Sequence, residues 1–229
     1  MTPIQQLMLG VGASKKTYLD DVFSTYVYTG TGSARSINNG IDLSGEGGMT
    51  WIKSRGEAEW HHLVDTVRGA GKTIASNADI AEFTDTTRHS SFNNNGFSLG
   101  TDYRVNKNNI DFSSWTFRKS KGFFDVVKYT GNETNGRQIA HNLGSIPGMI
   151  LIKNLDTTDN WVVGHCKASD TDPWDYQYQL NTSSAALNDT RFADTPPTST
   201  HFTVGASWGE NKNGSNIVAY LFAGGESDA

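Results

Sequence analysis

The sequence contains a single cysteine, Cys166, among 229 residues. An intrachain disulfide is therefore excluded, and a C-x-x-C zinc pattern cannot be built. A lone cysteine of this kind reads as a small buried residue. Long hydrophobic runs are missing too. No stretch of about 18 apolar residues occurs, so no transmembrane helix is expected. The opening Met1-Thr-Pro-Ile-Gln-Gln-Leu-Met-Leu-Gly10 lacks a basic n-region and an extended apolar core. It does not read as a secretory signal. Positive charge is in deficit, with 19 Lys and Arg against 24 Asp and Glu. That leaves no basic face on which to rest nucleic-acid binding.

What is present is glycine, asparagine, serine and threonine, with 24 Gly against only 5 Pro. Hydrophobic residues at 36% and charged residues at 19% fall below globular averages, but 11% aromatics argue against disorder. This is the profile of many short strands joined by turns. The chain also resembles itself. Phe23 and Tyr28 recur as Phe124 and Tyr129. Gly48-Met-Thr-Trp51-Ile-Lys53 recurs as Gly148-Met-Ile-Leu151-Ile-Lys153, and Trp60 aligns with Trp161. Phe97, Asn106 and Trp115 recur as Phe202, Asn211 and Tyr220. The offsets of 100 to 105, always in the same order, predict a duplication with small loop insertions.

The predicted fold is all-β: two tandem related antiparallel β-sandwich (jelly-roll-like) halves with a short N-terminal arm. Residues 1–22 form the arm and 23–117 the first module. Residues 118–123 are a basic linker, and 124–229 the second module. Asn-Gly pairs at 39–40, 95–96, 135–136 and 213–214 predict hairpin turns. Helical propensity is confined to Gln5–Met8 and Ala78–Phe83. Trp51, Trp115 and Trp161 are expected to fill the space between sheets.

Several motifs carry possible chemistry. Arg68-Gly-Ala-Gly-Lys72-Thr73 resembles a phosphate loop, but the required first glycine position holds Thr66 and no helix follows. His61, His62 and Asp65 suggest a metal, yet neighbouring strand residues point to opposite faces. Asp156 with Asp159, and Asp170 with Asp172, could supply calcium oxygens. Asx turns explain the same residues without an ion. Glu57, Glu59 and Asp65 are the carboxylates available for glycosidase chemistry. No Gly-x-Ser-x-Gly elbow is present. No catalytic set and no cofactor are therefore expected. Trp174, Tyr176 and Tyr178 lie in a loop without counterpart in the first half. They are candidates for stacking on a sugar or for a protein interface, and equally for internal packing. Ile4, Leu7, Met8 and Leu9 are candidate docking residues in the arm.

The second half, through Tyr129-Thr-Gly-Asn, Arg137-Gln-Ile-Ala-His-Asn-Leu-Gly144, Pro147-Gly-Met-Ile-Leu-Ile-Lys153 and Val218-Ala-Tyr-Leu-Phe222, resembles a module repeated in tailed-phage virion proteins of the marine and cyanobacterial type. The similarity extends over nearly the whole chain. The resemblance implies a concanavalin-like (laminin-G-like) lectin sandwich and a non-enzymatic tail-fibre or surface-appendage role in assembly and host attachment. It implies location in the virion after assembly in the bacterial cytoplasm. It also implies other virion proteins as partners, a homo-oligomer of three or more copies, and a host surface glycan. It brings no catalytic residue. A capsid decoration protein anchored by residues 1–22, and a carbohydrate-binding or polysaccharide-degrading enzyme, stand as alternatives.

Overall fold

A computed structural model describes residues 17–225. The fold is all-β, and every strand pairing is antiparallel. In the first half, β1 (Phe23–Thr29), β9 (Asp111–Arg118), β3 (Gly48–Ser54), β4 (His62–Asp65), β5 (Lys72–Ala75) and β6 (Phe83–Thr84) form one sheet in that order. A second sheet is ordered β2 (Arg35–Asn38), β8 (Gly96–Leu99), β7 (His89–Asn93). In the second half, β10 (Phe124–Thr130), β17 (Asn216–Ala223), β12 (Pro147–Asn154) and β13 (Val162–His165) form a four-stranded sheet. It faces the pair β11 (Arg137–Ala140) and β16 (His201–Val204). A short hairpin, β14 (Tyr176–Gln177) with β15 (Leu187–Asn188), closes one side.

Alternation of side chains decides what each face buries. On β3, Ile52 points into the first sandwich with Ile37, Phe97, Leu99 and Phe112. Its neighbour Met49 points out, toward the second half. Within the second sandwich, Ile150 and Ile152 pack with Phe202, Val204 and Ile217. A third core lies between the halves, where Met49, Leu63 and Ile74 meet Leu151, Trp161, Val218 and Tyr220. The molecule is thus four layers deep, with the two larger sheets back to back. This explains why β12 is apolar on both faces: it has a core on each side.

The order β1-β9-β3-β4 recurs as β10-β17-β12-β13, and β2-β8 recurs as β11-β16. Polar anchors recur with it. The Tyr28 hydroxyl donates to the Val105 carbonyl at 2.7 Å, and the Tyr129 hydroxyl to the Glu210 carbonyl at 2.6 Å. Buried Asn106 donates to the carbonyls of Ser33 and Gly100, and Asn211 to those of Thr134 and Gly205. Lys53 Nζ donates to the carbonyls of Ser54 and Glu57, and Lys153 Nζ to those of Asn154 and Thr157. These bonds satisfy loop carbonyls that the ladders cannot reach.

Four expectations are corrected. Ala78–Phe83 is not helical: it starts in a bend, runs without regular structure to Phe83 at the start of β6, and Glu82 donates its amide to the Leu155 carbonyl across the two halves. Gln5–Met8 lies outside the described residues. Of the four pairs only Asn95-Gly96 sits at a hairpin, between β7 and β8, and even there the two turn residues are Asn94 and Asn95 while Gly96 is already the first residue of β8. Gly40, Gly136 and Gly214 also have positive φ, but they lead between strands that pair elsewhere. The Trp60–Trp161 alignment is off by one. Ile52 pairs with His62 and Ile152 with Val162, so His61 is the counterpart of Trp161. The amides of His61 and Trp161 also bind equivalent side chains, Asn77 and Asn181. Finally, Trp161 is fully buried, whereas Trp51 and Trp115 are only half-buried. The junction at 118–123 is a hydrogen-bonded turn, in which Ser120 exchanges backbone bonds with Phe124 and Gly122 donates to Leu143.

Candidate functional site

The loop between β13 and β16 places the residues singled out from the sequence, and it is not without a counterpart: Tyr178 pairs with Val163 as Ile74 pairs with Leu63, and β14 pairs with β15 as β5 does with β6. Trp174 is 5% exposed and packs edge-on to Phe192, with ring centres 5.3 Å apart. Gly164 makes room for both: a Cβ there would fall 2.6 Å from Trp174 and 2.7 Å from Phe192. Trp174 is therefore a core residue of the second sandwich, not part of a surface aromatic platform. Tyr176 and Tyr178 are half-buried. Tyr178 exchanges two backbone hydrogen bonds with Val163, each 2.9 Å, and packs on the core between the halves.

The residue between these tyrosines is the one that meets a pocket. Gln177 is 1% exposed. Its Nε2 donates to Asp189 Oδ2 at 3.0 Å, while its Oε1 is buried without a partner. It lines a cavity of about 190 Å³ together with Asp159, Asn160, Gln179, Arg191 and Trp208. Arg191 donates through Nε to Asp189 and through Nη1 to Glu210, both at 3.0 Å. Glu210 is fully buried, and burial raises its carboxyl pKa against the opposing pull of Arg191. Trp208, 61% exposed, stands at the lip with Lys212 Nζ 4.3 Å from its ring centre. Sequence reading passed over Gln177 in favour of its aromatic neighbours. The available signal was alternation: a polar residue between two tyrosines in a strand takes the opposite face.

A second surface lies on the face of the six-stranded sheet that packs against the second half, where that half leaves it open. Trp51, Lys53, His61, Trp115 and Phe117 line an open cavity of about 260 Å³. The two indoles meet edge-on at 6.2 Å, and Trp51 Nε1 has no partner. Burial, and then the charge of Lys53, lower the His61 pKa, so its imidazole is neutral at pH 7. By strand register the counterparts of these five residues are Leu151, Lys153, Trp161, Tyr220 and Phe222. That second set belongs to, or packs against, the core joining the halves, apart from Lys153, which is nonetheless fully buried beside it.

The remaining motifs are structural. Arg68 of the Gly-rich turn is buried and bridges Asp65 at 2.5 Å and Glu82 at 3.1 Å, so it is not free for a phosphate. Lys72 donates to Thr84. His62 is buried, and His61 lies on the opposite face. Asp156 accepts from the Asn216 amide, and Asp159 accepts from Thr157. Among the described residues no group of three or more His, Cys, Asp or Glu is placed to hold a metal. Glu57 pairs with Lys107 at 2.5 Å and Glu59 with Arg104 at 3.4 Å, so these carboxylates and Asp65 each have their own cation. Cys166 is half-buried against the second sandwich core. Ile4, Leu7, Met8 and Leu9 lie outside the described residues.

These features define a four-layered antiparallel β-sandwich protein. The chain belongs to the DUF7483 family, a domain of unknown function, whose model matches residues 19–227. No curated protein and no solved structure matches it.

Proposed function

We propose that this protein is a non-enzymatic structural component of a bacteriophage virion, a tail fibre or related surface appendage that assembles as a homo-oligomer and serves host attachment. The observation that carries this reading is the Trp51–Trp115 face. Position by position it matches the surface with which the second half grips the first. At the counterpart of buried Leu151 it presents a half-buried tryptophan. Indoles left on a surface mark interfaces more often than solvated faces. The face is also continuous with an existing interface, since Trp51 and Phe117 both touch the core between the halves. A neighbouring copy is the occupant that fits it.

Mass spectrometry of purified virions tests the assignment. The chain is expected at tens of copies per particle, in a multiple of three. Absence from the particle defeats the proposal, and hundreds of copies would move it to the head. In solution, Trp115→Asp should shift the oligomer toward monomer in sedimentation velocity.

A further inference from the structure

We propose that the Gln177 pocket is a binding site for one neutral pyranose unit of a glycan. The proposal rests on the attachment reading for its purpose; its chemistry comes from the pocket itself.

The pocket holds a polar group prepared for a partner it does not have. Gln177 Oε1 is buried and accepts nothing, although the other end of the amide is fixed by Asp189. A buried acceptor left alone is costly, so a donor is expected there. Arg191 has two of its nitrogens held by carboxylates, and Nη2 makes no bond to protein. Two residues that line the cavity therefore have hydrogen-bonding capacity left over, an acceptor on Gln177 and a charged donor on Arg191. A sugar hydroxyl is both donor and acceptor and can satisfy both.

Charge selects against an ion. Arg191 is already matched by Glu210 and Asp189, and Asp159 also lines the wall. An anion would meet Asp159 and an arginine whose charge is already matched, and a cation would have one lining carboxylate set against the guanidinium. A neutral polyol meets neither penalty. Shape points the same way. The exposed Trp208 indole stands beside a floor of amides, matching a pyranose with an apolar C–H face and a hydroxylated edge. The volume of about 190 Å³ is less than a drug-sized site and has room for one ring.

The first half shows what the same corner looks like when it is filled. Gly100 donates to the Arg88 carbonyl as Gly205 does to Arg191, so Arg88 is the counterpart arginine. There the Phe83 ring lies 4.5 Å from the Arg88 guanidinium and 6.4 Å from Trp60. In the second half no phenylalanine takes that place, and Asn160 stands where Trp60 does by register. The alternative occupant is solvent. At about 30 Å³ each, about six waters would fill the space.

The test uses the full chain and a panel of methyl hexopyranosides and methyl N-acetylhexosaminides, with a hexuronate and inorganic phosphate as anionic arms. Binding is followed by saturation-transfer NMR and by the indole N–H signals of the 6 tryptophans. At least one neutral sugar should give transfer and shift the Trp208 signal while leaving Trp51 and Trp115 in place. Gln177→Leu should weaken that sugar at least tenfold. Trp208→Ala, at an exposed site that does not threaten folding, should do the same. No transfer from any neutral sugar at about 10 mM, tenfold above a dissociation constant of 1 mM, means the pocket holds water only, and the proposal fails. It also fails if only the anions bind, if a different tryptophan responds, or if both variants bind as the parent does. Virion mass spectrometry is independent of all these readings, so either proposal can fail alone.

Discussion

Gly30 and Gly131 show how a single residue type can be dictated by its neighbour's backbone. A Cβ on Gly30 would lie 2.1 Å from the Lys107 carbonyl oxygen, and one on Gly131 2.1 Å from that of Lys212. These carbonyls cannot retreat, because each follows the buried asparagine, Asn106 or Asn211, that ties several loops together. Gly131→Ala should therefore cost about 2–3 kcal/mol, at the upper end of overpacking, read as a lowered urea midpoint. Gly136→Ala, with nothing within 4 Å but a φ of 76°, should cost only about 1 kcal/mol. His89 makes a different residue-scale case. It is buried between Phe92 and Phe97, and neither ring nitrogen has a partner. Burial lowers its pKa from 6.5 to about 3. The unfolded chain takes up the proton near pH 6.5 and the folded one does not. His89 therefore leaves stability intact above pH 6.5 and erodes it as pH falls from 6.5 toward 3, by about 3 kcal/mol at pH 4. His62, lowered to about 3 by burial and then by Arg88, adds to the same slope. The counterpart of His89 in the second half is Phe192, one residue after Arg191 as His89 is after Arg88. His89→Phe should raise the melting temperature at pH 5 more than at pH 8. An equal shift at both would show that protonation is not the cause.

At the scale of elements, the strands were legible because their signals are local. Alternation and short apolar runs marked strands such as β12 and β17, and the 100-residue offset matched Met49–Lys53 to Met149–Lys153, which occupy equivalent places in the two strand orders. Three things were not local. Trp60 and Trp161 align by residue type, yet the ladder sets His61 opposite Trp161. Only pairing with β3 and β12 fixes that register, because a one-residue slip changes every side chain's face. The Trp174 loop stood open between surface stacking and internal packing because no repeat partner for it is visible in the sequence; β13 decides it by supplying Gly164 and with it a space that the tryptophan fills. The pocket residue Gln177 was hidden for the same reason: its value lies in Arg191 and Asp189, distant until the loop folds back. Trp174→Ala discriminates the two readings of this loop. As a core residue it should cost about 3–5 kcal/mol, whereas a surface stacking residue would cost under about 0.5 kcal/mol. A circular-dichroism melt unchanged by the substitution would return Trp174 to the surface.

The whole molecule depends on the layer that neither half owns. Trp161 Nε1 donates to the Ala75 carbonyl at 2.9 Å, across the joint. Tyr220 OH donates to Asp65 Oδ2 at 2.7 Å and accepts from Arg68 Nη2 at 3.1 Å. Burial alone would lower the Arg68 pKa, but Asp65, Tyr220 and Glu82 together raise it, so this ion stays charged inside the protein. A buried charge network of this kind is stabilising only when complete, and it is completed by a residue 152 positions away. Two sandwiches joined by a flexible linker would melt separately. Two sandwiches sharing Leu63, Ile74, Leu151, Trp161 and Tyr220 cannot expose one without wetting the other. Calorimetry should accordingly give one transition, with equal calorimetric and van't Hoff enthalpies. Tyr220→Phe leaves Asp65 and Arg68 each one hydrogen bond short at about 1–3 kcal/mol. It should lower that single transition by several degrees, at roughly 2–4 °C per kcal/mol for a chain of this size. Two resolved peaks, with the substitution moving only one, would mean that the halves fold independently and that the shared layer is mere contact. A single peak that moves as a whole makes the joint a folding core, and its aromatic duplicate on the open face a surface built by the same chemistry.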